Sequence, residues 1–144
     1  MFGLELMILL AIAVAAYMAW NIGANDVANA MGTSVGSGAL TLRNAIIIAA
    51  VFEFCGAFFA GDAVTDTVRK GVLVISEEEM ASLSSELQYG FIAAMLAAAL
   101  WITVATRYGL PVSTTHSIIG GIIGFGLFID PSLVDFHKVG QIVL

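Results

Sequence analysis

Three apolar runs, Leu4–Trp20, Asn44–Gly61 and Tyr89–Ala105, have about the length a helix needs to enter or cross a hydrocarbon core. A fourth, rich in glycine, follows over Ile118–Ile129, and a further apolar pattern begins at Val139 and stops at Leu144. Polar positions cluster between these runs. Asp62 to Gln88 carries Asp62, Asp66, Arg69, Lys70 and an acidic group at Glu77, Glu78, Glu79 and Glu86, and reads as an amphipathic connector. Within it, Ser76 with Glu79 three residues on has the form of a helix cap, and Asp62 and Asp66, at a helix end, are expected to face solvent. Between the third and fourth runs, Gly109 and Pro111 stop one helix and Ser113 caps the next.

The pattern predicts an all-α integral membrane protein with about four hydrophobic helical segments, some broken or re-entrant, folded as a single unit over residues 1–144 with residues 62–88 as its polar loop. Composition agrees: 60% of the residues are hydrophobic and 11% charged, and the mean hydropathy is +0.99. A soluble domain carries about 25% charged residues. The net charge of -6 comes largely from the connector, and there is no basic patch, so nucleic acid is not an expected ligand. The lone Cys55 sits in an apolar run and reads as packing. Leu4–Trp20 lacks a basic leader and a cleavage site, so it reads as a retained helix and not a signal peptide. Arg43 and Arg107 oppose Arg69 and Lys70 across the spans, so charge bias gives no orientation.

One stretch does not suit a plain membrane helix. Asn21 to Thr41 holds Asn21, Asn25, Asp26 and Asn29, several hydroxyls and glycines at 23, 32, 36 and 38. Polar groups at membrane depth are costly and mark a solute pathway by default. On a helix the three asparagines form a stripe drifting about 40° per step, with Asp26 beside it. Gly23 offers an alternative, a local unwinding that exposes carbonyls to a cavity. Either arrangement supplies the oxygens a hard cation such as sodium prefers, while helix-to-helix bonding would explain the same residues without a ligand. Thr33 to Gly38 reads as a close-packing face, a backbone anion cradle or a pore lining.

Ser113-Thr114-Thr115-His116 opens a helix after a Gly-Leu-Pro break, turning free N–H groups and three hydroxyls toward whatever lies before it. That is the form of an anion site, with an ordinary hydroxyl cap as the plainer reading. An anion beside Asp26 needs a bound cation or a proton on the anion. Phosphate carries such a proton near neutral pH and sulfate does not, so the pairing favours phosphate. Glu53 lies mid-helix on a face of small residues, Ala49, Gly56, Ala57 and Ala60, and reads as a cation or proton site, or as a protonated core carboxyl. Two further classes compete with transport: an ion-channel subunit with Thr33 to Gly38 lining the pore, and a membrane enzyme with His116 as nucleophile, which lacks the basic cluster a phosphoryl transition state needs.

The residues Gly23-Ala24-Asn25-Asp26-Val27-Ala28-Asn29-Ala30, continuing through Gly32-Thr33-Ser34-Val35-Gly36-Ser37, resemble one signature of the inorganic phosphate transporter (PiT) family. Gly109-Leu110-Pro111-Val112-Ser113-Thr114-Thr115-His116-Ser117 resembles its second, and the stretch through Glu53 to Val64–Gly71 resembles the intervening helix and loop. The resemblance implies a phosphate symporter of the cell (plasma) membrane, driven by sodium or protons, needing no cofactor and built from two inverted halves. It implies that Asp26, Ser113, Thr114 and Thr115 hold phosphate, and that Asn25, Asn29 and Glu53 hold the coupling cation, with sodium at Asn25 and Asn29. Each motif occurs once, so the chain is expected to be one half of a site, truncated in its next helix and completed by a second half or another copy.

Overall fold

A computed structural model of the chain describes residues 2–71, 73, 75 and 83–143. The predicted cap at Ser76–Glu79 and the side chain of Asp66 lie outside what it describes; Asp62 is exposed, as expected.

The first helix, α1, spans Phe2–Gly36, 35 residues without a break. The helix does not unwind at Gly23. Alanine is frequent through the run and favours the helix, and Asn21 donates its amide to the carbonyl of Tyr17 one turn back, 2.9 Å away, so polarity inside the span is answered without freeing the backbone. At a rise of about 1.5 Å per residue the helix is roughly 52 Å long, against a hydrocarbon core of about 30 Å. It therefore tilts or projects beyond the core. Gly38, with φ of 78°, turns the chain after it.

The second helix, α2, spans Leu42–Gly71 and starts beneath Thr41, whose hydroxyl accepts from the N–H of Asn44 at 3.3 Å. It continues ten residues past Gly61, so the segment expected as a connector begins as helix. The third, α3, spans Ser84–Arg107 and takes in that segment's last residues. It closes with a double bond pattern: Gly109 N–H to the carbonyl of Thr106 at 3.0 Å and Leu110 N–H to that of Ala105 at 2.9 Å. This Schellman closure requires the left-handed φ of 68° at Gly109, which glycine adopts without a Cβ penalty. Pro111 then prevents the helix from resuming.

The fourth helix, α4, spans Thr114–Ile129 with Ser113 as its N-cap. A short 3₁₀ turn, Pro131–Leu133, follows, then α5, Phe136–Val143. Among the described residues the only β pairing is an isolated bridge between Leu73 and Val134.

Among the described residues three helices are long and apolar enough to cross a membrane, and α4, at 16 residues, is shorter. The protein is an integral membrane protein. The closest packing joins α3 to α4: a Cβ on Gly121 would lie 2.6 Å from the carbonyl oxygen of Ala94, so the two backbones touch. Below this contact, Ile119 and Ile122 of α4 bury with Ala94, Leu73 and Val134. A second cluster, Met18 with Ala98, Ala99 and Ile102, joins α1 to α3. Of its described side chains, helix α2 buries those of Ala45 and Ala49 and leaves Phe52, Phe54, Phe58 and Phe59 exposed.

Candidate functional site

The polar residues of α1 meet α3 and α4 along one seam. At its lower end Asn21, 3% exposed, accepts from the hydroxyl of Thr103 at 2.7 Å, and the same hydroxyl meets that of Tyr17. Thr103 also lies 3.0 Å from the carbonyl of Ala99. One hydroxyl hydrogen serves one acceptor at a time, so with Tyr17 donating, Thr103 chooses between Asn21 and its own helix.

One turn higher, Asn25, 4% exposed, is bound on all sides. Its amide nitrogen donates to the hydroxyl of Thr106 at 2.9 Å and to the carbonyl of Leu110 at 3.2 Å. Its oxygen accepts from the N–H of Val112 at 3.4 Å and from the amide of Asn29 at 2.9 Å. The backbone partners settle which end is which: a carbonyl only accepts and an N–H only donates.

At the top the two expected motifs join. Thr114, buried at the first turn of α4, donates its hydroxyl to Asp26 at 2.6 Å, a short bond for a hydroxyl donor. Ser113 caps the helix by accepting from His116 N–H at 3.3 Å, and its oxygen lies 2.7 Å from Nδ1 of the same histidine. The first two N–H groups of α4, on Thr114 and Thr115, have no partner among the described residues, and Thr115 and His116 are exposed. Two open N–H groups, an exposed hydroxyl and the positive end of a helix can hold an oxyanion, and Asp26 beside them can accept a proton-bearing oxygen.

The residues expected to hold the cation divide. Asn29 is exposed, and the oxygen of its amide has no partner among the described residues. Glu53 is exposed on α2, also without a hydrogen bond or ion pair among them, and no bond joins it to the seam. On α3 the seam contains two residues that sequence reasoning passed over, Thr103 and Thr106. Their spacing of three places both on one face of α3, opposite asparagines spaced by four. That match is the signal that could have found them.

A model of the phosphate transporter family matches residues 22–144. The chain belongs to the phosphate transporter family. The chloroplastic inorganic phosphate transporter 2-1 of Arabidopsis thaliana is 56% identical over 77% of the chain and 19% of its own length. A protein of Thermococcus kodakarensis, provisionally named a phosphate permease, is 50% identical over 95% of the chain and 33% of its own length. A solved structure titled as the sodium-dependent phosphate transporter superposes with a TM-score of 0.85 at 43% identity, covering 95% of this chain and 34% of that one. The chain thus spans about a third or less of the length of these family members.

Proposed function

We propose that this chain supplies one half of the site of a secondary active transporter that carries inorganic phosphate across a membrane together with a cation. The observation that carries the reading is the bond from Thr114 to Asp26, because it brings the acidic motif of α1 to the N-terminus of α4. Phosphate lies against the open N–H groups of Thr114 and Thr115 and the hydroxyl of Thr115. Ser113 and Thr114 turn their hydroxyls from His116 and Asp26 to the anion as it enters. Asp26 accepts a hydrogen bond from the protonated oxygen that phosphate carries near neutral pH and sulfate lacks, which selects between them.

The cation is assigned to oxygens that have no partner among the described residues, those of Asn29 on α1 and Glu53 on α2. Sodium is favoured over a proton by the name of the solved relative. The rest of the site comes from a second half or another copy, and alternating access moves one half against the other about a site near the midplane. The channel reading is weaker on an observation: the carbonyls of Thr33, Ser34 and Val35 accept from Ser37, Leu40 and Gly38 respectively. They are therefore not free to replace an ion's hydration shell.

Asp26→Asn tests the reading. It keeps shape and can still accept from Thr114, but removes the charge. In a complete transporter, phosphate uptake into vesicles is expected to fall by about thirtyfold or more, as for loss of a charged hydrogen bond, with insertion unchanged. Normal uptake kinetics in that variant would sink the assignment.

A further inference from the structure

We infer that Asn25 is a positioning residue and not a cation ligand: its carboxamide clamps the break between α3 and α4 to α1 and so sets where the N-terminus of α4 stands relative to Asp26. This inference rests on the phosphate reading of that site. Two observations carry it. An amide oxygen has two in-plane lone-pair directions, and an amide nitrogen has two hydrogens. In Asn25 all four are in use, by Val112, Asn29, Thr106 and Leu110. An oxygen already accepting two hydrogen bonds has no lone pair to offer a cation, and the residue is 4% exposed.

The second observation is what the clamp holds. Leu110 and Val112 flank Pro111 in the non-helical stretch between α3 and α4, and Val112 stands two residues before Thr114. The α3 side of the break is fixed by the Gly109 closure. On the α1 side, Asn25 and its neighbour Asp26 grip it at two heights: Asn25 at Leu110 and Val112, Asp26 at Thr114. Release of the first grip lets the helix N-terminus move against the second, and the cost falls on phosphate rather than on the cation.

A ligand role and a positioning role predict opposite results for Asn25→Asp. The carboxylate keeps, and strengthens, any oxygen offered to sodium, but cannot donate to Thr106 or Leu110. The test is uptake by the full protein in sealed vesicles, varying phosphate and sodium separately. In Asn25→Asp the KM for phosphate is expected to rise about tenfold, the loss of one to two net hydrogen bonds, while sodium half-saturation at saturating phosphate stays within about twofold. Thr106→Val, which removes one acceptor with little change of shape, is expected to raise the phosphate KM about threefold. The double variant is expected to be no worse than Asn25→Asp alone, the non-additivity of residues in one network.

A shift in sodium half-saturation of about tenfold with an unchanged phosphate KM overturns the inference, as do additive effects of the two substitutions. If Asn25→Asp fails to insert, Thr106→Val decides: an unchanged phosphate KM overturns the clamp. Absence of saturable phosphate uptake by the unsubstituted protein in the complete transporter, both halves of the site present, overturns the phosphate reading itself, a result distinct from any of these.

Discussion

The seam between α1 and the α3–α4 pair, and the surface of α2, are made from similarly apolar sequence and finish in opposite states. Along the seam Asn21, Asn25 and Thr114 are buried, each bonded to another helix or to the break, and among the described residues no buried side-chain nitrogen or oxygen lacks a partner. On α2 the carboxylate of Glu53 has no partner among the described residues, and Phe58 and Phe59 are 72% and 81% exposed. Hydropathy places both regions in a membrane. Which face meets protein is decided by where polar groups find complements, because water is absent from the bilayer core and an unmet donor or acceptor there costs several kcal/mol.

The contrast can be broken at several strengths. The largest effect on folding is expected from Gly121→Val, whose Cβ would meet the carbonyl of Ala94 at 2.6 Å. Overpacking of this kind costs about 1–3 kcal/mol and lowers the thermal unfolding midpoint in detergent. Gly56→Val on α2, where among the described residues no atom beyond the adjacent residues and the helix's own backbone lies within 4 Å of the added Cβ, is expected to leave the midpoint unchanged. An equal fall in both would erase the difference between the regions.

Next comes Thr103→Val, which leaves the buried oxygen of Asn21 without its donor. The expected cost is about 1–2 kcal/mol, again seen in thermal unfolding. Glu53→Gln, by contrast, is expected to change stability by less than about 0.5 kcal/mol while raising the sodium concentration for half-maximal uptake. The reverse pattern would place Glu53 in the packing of the chain. The smallest effect belongs to Asp130, outside both regions. The backbone N–H of Ser132, and then its hydroxyl, hold this carboxyl below the usual carboxylate range. Its contribution is in place above the unfolded-state value and is lost as pH falls through the lower folded value. Asp130→Asn is therefore expected to remove a slight acid-side loss of stability that an unfolding series carried below pH ~4 would detect.

The break between α3 and α4 was legible because Gly109, Pro111 and Ser113 act through their own backbones and caps. Asp26 and Thr114 were legible as chemistry, and the long motifs they belong to named the family. What could not be read was continuity. Asn21 to Gly36 looks like an interruption because polarity alone does not tell whether a partner stands opposite. Thr103 and Thr106 supply that partner, and two threonines in an alanine-rich span attract no notice until asparagines are placed against them. The length of α2 was missed for the converse reason. Asp62 to Gly71 is polar, but polarity at a membrane surface does not end a helix, and the only glycine after Gly61 in that stretch is its last residue.

Asn25 does one more thing in this all-helical protein. It accepts from Val112 and donates to Leu110, the two groups that a neighbouring strand would engage around residue 111 in a parallel ladder. Residue 111 is proline, whose missing N–H that pattern never needs. A single side chain thus acts as a one-rung sheet, closing a bare edge with the amide chemistry of a peptide bond, and an extended segment can exist between two membrane helices without any strand to lie beside.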